Sequence, residues 1–128
     1  MILIFCKNHV FQPTKIYVKT ILSIIEKFSI KGMVHITGGG FYENIPRVLP
    51  SGIGAEVNNL PESYVFSKLE KDHSLDRHDM YGTFNMGVGY ILVVDPSQVD
   101  SVMSELKTLG EDAHLIGNTD STGKITIK

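Results

Sequence analysis

Cysteine is almost missing from this chain of 128 residues: Cys6 stands alone, so no internal disulfide forms, and its neighbours offer no base to activate a thiol. A reducing, cytoplasmic setting is expected. Basic excess is missing too. A net charge of −2, with 20% charged residues, leaves no surplus to hold a nucleic-acid backbone, so no nucleic-acid partner is expected. No apolar run approaches the roughly 20 residues that span a bilayer, so no membrane partner is expected either. Residues 1–6 are apolar but meet Lys7, Asn8 and His9 at once. Without a basic leader and a longer apolar core, they read as a strand or an ordered tail rather than an export signal. Internal repeats, low-complexity tracts and dividing linkers are also absent. With 42% hydrophobic residues, the chain is long enough for one globular domain with a real core.

What is present is organised around His35-Ile36-Thr37-Gly38-Gly39-Gly40-Phe41-Tyr42-Glu43-Asn44, where a short apolar strand runs through three glycines into a helix start. Glycines accept φ > 0 and let backbone approach a ligand closely, and the N–H groups of a first helical turn attract anions. The run lacks G-x-G-x-x-G spacing, and no Lys-Ser/Thr follows it as a P-loop requires. On the three glycines alone, a tight turn without a ligand is the favoured explanation.

Ahead of this stretch, Pro13 opens a helix whose apolar residues Tyr17, Ile21, Ile24, Ile25 and Phe28 recur at helical spacing, with Gly32 as its exit. Ile16, Val18 and Leu22 widen the apolar side, which predicts a helix lying deep against a sheet. After a strand at 33–36, the helix starting near Gly40 is interrupted by Pro46. A short edge strand is expected at 55–58. Pro61 and Glu62 suit a first turn for Val65, Phe66 and Leu69, and Ser74 caps a second helix from Leu75. Residues 86–94 form a nearly unbroken apolar run, expected to be the central strand. Asp95-Pro96-Ser97-Gln98 starts a helix through Val99, Val102, Met103 and Leu106, ended by Gly110. Strands at 113–116 and 125–127 flank a turn and predict a closing hairpin. The class is α+β (mixed α/β), a mixed sheet with helices packed on it.

Candidate chemistry is sparse. Residues 72–79 carry Asp72, His73, Asp76, His78 and Asp79, which read as a solvated helix and its cap, so no metal ligand is assigned. His35, in an apolar strand, reads as a satisfied core histidine ahead of a catalytic base. Asn85 stands with Gly87 and Gly89 at the mouth of the long strand as a neutral donor and acceptor. No nucleophile and base pair or carboxylate dyad can be read from spacing, so no catalytic residue is assigned. The residues support an anion site at Gly38, Gly39 and Gly40, assisted by Asn44, Arg47 or Asn85.

Two stretches, His35 to Pro50 and Met80-Tyr-Gly-Thr-Phe-Asn-Met-Gly-Val-Gly89, resemble phosphoribosylformylglycinamidine cyclo-ligase, also called aminoimidazole ribonucleotide synthetase. Pro13 to Val18 and Leu109 to Ala113 fall where that family has similar segments. The resemblance covers residues 10–128 and only the family's C-terminal domain, with residues 1–9 atypical. It implies the purine-biosynthesis step in which ATP activates the formamide oxygen of formylglycinamidine ribonucleotide and the ring closes to aminoimidazole ribonucleotide, ADP and phosphate. The family's ATP-binding domain comes first in its chain, so ATP and magnesium are expected only with that domain, and no cofactor is expected in this chain. The implied partners are the phosphorylated ribonucleotide, bound through Thr37, Gly38, Gly39 and Gly40, and an ATP-binding domain in trans. Gly82 stands where the family usually shows arginine. The chain is expected to be inactive alone; a stand-alone module for a phosphorylated metabolite or a protein, or a non-functional remnant, are the alternatives. Apolar surface left by a missing domain is expected to be exposed or hidden in a homodimer.

Overall fold

A computed structural model describes residues 1–7 and 15–128. Six strands form one mixed sheet: β1 (Ile2–Lys7), β2 (Ile30–His35), β3 (Gly54–Val57), β4 (Val88–Val94), β5 (Ala113–Asp120) and β6 (Ile125–Ile127), in the order β2-β4-β1-β5-β3-β6. Five helices cover it: α1 (Val18–Lys27), α2 (Gly40–Asn44), α3 (Tyr64–His73), α4 (Arg77–Thr83) and α5 (Val99–Thr108).

Alternation along the strands sends side chains to two cores. Ile4, Leu92 and Val94 pack under Ile21 and Ile24 of α1 and Val102 and Leu106 of α5. Leu3, Ile91 and Val93 pack under Phe41 of α2, Phe66 of α3 and Met80 and Tyr81 of α4. Ile24, Val102 and Leu106 are fully buried, and each such side chain contributes roughly 1.5–3 kcal/mol. The two helices of the first core are also stapled at their ends. Glu111, buried just after α5, accepts from Lys15 and from Thr20 Oγ1 at 2.7 Å.

Several expectations change. The start at Pro13 lies outside the described residues, and α1 ends at Lys27, so Gly32 is not its exit. Gly32 belongs to β2, where the register with β4 shifts and a Cβ would press on Val93 Cγ2 at 3.2 Å. The apolar side of α1 does not sink into the sheet as a whole: Ile16, Val18, Leu22 and Ile25 are exposed. Asp76, not Ser74, caps α4, accepting from His78 N at 2.9 Å and Asp79 N at 3.2 Å; Ser74 instead ends α3 with φ of 50°. The long strand β4 is interior, between β2 and β1, while β1 and β5 hold the middle of the sheet.

The closing hairpin does not form. β5 continues to Asp120 and pairs antiparallel with β3, and β6 pairs parallel with β3 on its other side. Hence β3 is an inner strand, and β2 and β6 are the edges. Local turn residues after Asn118 permit a hairpin, but the apolar Ala55 and Val57 recruit both neighbours, and both are fully buried.

Candidate functional site

β2 runs out at His35, and Ile36 N still donates to Gly89 O at 3.0 Å before the chain leaves the sheet. The glycines therefore stand at the C-terminal end of β2, beside the entry to β4. Each of the three has a different reason to be there. Gly40, at φ of 56°, lies flat on α4: a Cβ would collide with the carbonyl oxygen of Tyr81 and come within 2.9 Å of the carbonyl carbon of Gly82. Gly39 is left-handed, with φ of 91°, and caps α2. Gly38 is under neither constraint, since a Cβ there would meet nothing within 4 Å. Packing and turn geometry thus explain Gly39 and Gly40, while Gly38 faces open space.

Asn44, one turn into the helix, holds the loop in shape. Its buried amide nitrogen donates to Gly40 O at 2.6 Å, Gly38 O at 3.2 Å and Thr37 O at 3.3 Å. In a trans peptide the N–H points opposite to the carbonyl of the same unit. Turning the carbonyls of Thr37 and Gly38 inward therefore turns the N–H groups of Gly38 and Gly39 outward, whereas Phe41 is fully buried. Two adjacent backbone donors on the open side of a loop can receive an oxyanion. Asn44 accordingly shapes the loop and spends its own donors there.

The charges around the loop are mixed. Arg47 donates to Asn44 Oδ1 at 3.4 Å and lies 3.6 Å from Glu43 Oε2. Both side chains of that pair are more than half exposed, so the pair is loose. The Glu43 carboxylate sits over Gly39, where an added Cβ would strike it. An anion approaching the loop therefore meets this carboxylate together with its Arg47 partner.

α2 and α4 are fastened by aromatic contacts. Phe41 meets Tyr81 edge to face at 5.3 Å, and Tyr42 stacks on His78 at 4.4 Å. Burial, then the neighbouring Tyr81 and Asp76, push the Tyr42 hydroxyl above its ordinary pKa, so it remains a neutral donor at physiological pH. Arg77 is held above its ordinary value by its hydrogen bond to Tyr81 and sits 5.9 Å from that ring's centroid. Gly82 lies where this packing leaves room: a Cβ there would meet only Tyr42 Cδ2, at 3.9 Å.

Thr37, Gly38, Gly39, Gly40, Asn44 and Arg47 are thus brought together. Asn85 is at the same end of the sheet but is folded on itself, its Oδ1 accepting from Gly87 N at 3.0 Å and its carbonyl from Val88 N at 2.8 Å. His35 is not a core histidine. It is exposed, on the α1 face of edge strand β2, stacked on Tyr90 at 5.8 Å with Tyr17 at its edge. Tertiary packing makes this trio from residues far apart in sequence, and spacing offered no sign of it. Glu43, four residues after Gly39, was open to the helical i, i+4 argument and is the neighbour that spacing should have flagged. Among the described residues, Asp76, His78 and Asp79 bring ligand atoms within 4.8 Å of one another. All three are exposed, and Asp76 Oδ1 is already engaged as the helix cap.

The sequence profile of a family described as "AIR synthase related protein, C-terminal domain" matches residues 7–128. This chain belongs to that family. Curated relatives agree: a phosphoribosylformylglycinamidine cyclo-ligase of Geobacillus sp. (strain WCH70) is 52% identical over 83% of this chain, and one of Leptospira interrogans (strain Fiocruz L1-130) is 41% identical over 94%. The chain spans only 31% and 36% of those two relatives' lengths, so it corresponds to their C-terminal third. The fold is shared more widely. A Thermus thermophilus protein, tt0281, superposes at a TM-score of 0.55 with 18% identity over 77% of this chain and 32% of its own. The thiamine-monophosphate kinase of Stenotrophomonas maltophilia K279a does so at 0.54, with 16% identity over 75% of this chain and 30% of its own. In this AIR synthase C-terminal domain, no described helix is long and apolar enough to cross a membrane.

Proposed function

We propose that this domain forms the substrate side of a cyclo-ligase cleft, in which formylglycinamidine ribonucleotide and ATP become aminoimidazole ribonucleotide, ADP and phosphate. The observation that carries the reading is the identity of 52% to a cyclo-ligase of which the chain spans 31%. The loop geometry gives the domain its part. The outward N–H groups of Gly38 and Gly39 receive a phosphate of the ribonucleotide, with Thr37 and Gly40 completing the loop, while Asn44 keeps the donors aligned and Arg47 offsets the charge of Glu43. Asn85, at the same end of the sheet, offers its amide to the substrate.

On this reading ATP and magnesium are handled by the portion of the relatives that precedes this domain, and the enzyme works in the cytoplasm. Alone, the purified domain forms no aminoimidazole ribonucleotide and releases no ADP. Replacing the matched segment of the Geobacillus enzyme with that of this chain should give ATP-dependent ring closure. Substrate-dependent ADP release by the contaminant-free domain would overturn the half-enzyme reading. So would a folded chimera that stays inactive even with Gly82→Arg.

A further inference from the structure

A carboxylate stands against the loop proposed to receive an anion. Glu43 follows Gly39 by one helical turn, its N–H donating to Gly39 O at 3.3 Å, and its side chain folds back over that glycine. The side chain is 65% exposed, and its ion pair with Arg47 Nη2, at 3.6 Å, is longer than a hydrogen bond. Arg47 gives its hydrogen bond to Asn44 Oδ1 instead, at 3.4 Å. Among the described residues, no hydrogen bond ties down the Glu43 carboxylate, so its oxygens keep lone pairs for a ligand.

A negative group beside donors meant for a phosphate weakens the binding of a simple anion, because like charges at this range repel. The same group favours a ligand that brings a positive charge of its own. Formylglycinamidine ribonucleotide is such a ligand. Its phosphate is an anion, and its amidine, protonated at neutral pH, is a planar cation whose N–H groups match the two oxygens of a carboxylate as a guanidinium's do. The loop presents both complements: the N–H groups of Gly38 and Gly39 for negative charge, and the Glu43 carboxylate for positive charge. The ribose holds the ligand's two charges apart, which suits a carboxylate carried on a side chain that stands off the backbone donors.

We infer that Glu43 is a specificity-determining residue of the proposed site: its carboxylate pairs with the amidinium of formylglycinamidine ribonucleotide and selects it from phosphorylated ribosides that lack the cation. In the empty domain Arg47 supplies the opposite charge that the amidinium supplies in the complex. The inference deepens the proposed function and rests on it, but its test reads a ratio of affinities, not turnover.

The test uses two ribonucleotides that differ in one group: formylglycinamidine ribonucleotide, and formylglycinamide ribonucleotide, which carries a neutral amide in place of the amidine. Each is titrated into this chain and followed by NMR at Thr37 to Phe41, with inorganic phosphate as a third probe. The parent should bind the amidine roughly three- to five-fold more tightly than the amide, the range of an exposed charge pair. Glu43→Gln should bring that ratio to about one. Asp79→Asn, which removes an exposed carboxylate from neighbouring α4, should leave the ratio as in the parent. Toward inorganic phosphate, which has no cation, Glu43→Gln moves affinity in the opposite direction, and that response also shows that the variant is folded. A ratio of one in the parent, or a ratio that survives Glu43→Gln, overturns the inference and leaves the anion site standing. So does an equal loss of the ratio in Asp79→Asn, which would make it an effect of the overall field. If neither ribonucleotide nor phosphate shifts the loop, the proposed site falls and the inference falls with it.

Discussion

Three adjacent glycines look interchangeable in the sequence and are not. Gly40→Ala adds a methyl against the Tyr81 carbonyl at a left-handed φ, so overpacking and backbone strain together should cost roughly 2–4 kcal/mol in a denaturant melt. Gly38→Ala adds the same methyl to open space, and its melt should stay within about 0.5 kcal/mol of the parent. At the proposed anion site that variant nevertheless binds phosphate more weakly, because the methyl crowds the face to which the N–H groups of Gly38 and Gly39 point. Phosphate titration by NMR, reading Thr37 to Phe41, checks both halves of the contrast. The same titration tests Glu43. Its carboxylate lies over Gly39, so Glu43→Gln removes a repulsive charge and should tighten phosphate binding several-fold; unchanged affinity would place the anion elsewhere.

At the scale of the element, α4 is the scaffold on which the loop rests, and Gly82 is its weak point. Glycine in a helix costs roughly 0.5–1 kcal/mol relative to a good helix former, and the backbone here is not left-handed. The Cβ position is open apart from Tyr42 Cδ2 at 3.9 Å. Gly82→Arg should therefore raise stability by roughly 0.5–1 kcal/mol. A loss of stability in thermal melts would show that α4 needs the glycine for packing. The backbone of Gly82 lies against Gly40, so the variant also tests how far the loop depends on this helix.

At the scale of the molecule, acid stability depends on carboxylates at chain turns. The Ser97 hydroxyl and N–H hold Asp95 below the ordinary carboxylate range, and the Thr122 hydroxyl and N–H do the same for Asp120. A depressed folded pKa means stability that is present above the unfolded value, about 3.9, and lost as pH falls through the lower folded value. Asp95→Asn should thus lower the melting temperature at pH 7 and flatten its fall below about pH 4. A variant whose fall between pH 5 and 3 is as steep as the parent's would show that Asp95 does not report on folding. Glu56, held down by Lys128 and then Asn58, joins β3 to the end of the chain and adds to the same limb.

The sequence by itself determined what local chemistry controls. The apolar run of β4, the stop of α5 at Gly110 and the Asp95 cap follow from side-chain period, φ preference and short-range hydrogen bonding, and the structure shows each. The motif from His35 to Pro50 likewise carried the family. Only the tertiary structure decided which strands meet. Pairing depends on burial of residues distant in sequence, so β6 lies against β3 and not β5, although the intervening turn residues suit a hairpin. It also decided that Asn44 points into the loop and that His35 sits on an exposed face, because a side chain's direction is set by what packs around it. The same holds for the exposed apolar residues of α1. Spacing shows that a helix is apolar on two sides, but only the packed sheet shows which side is already covered.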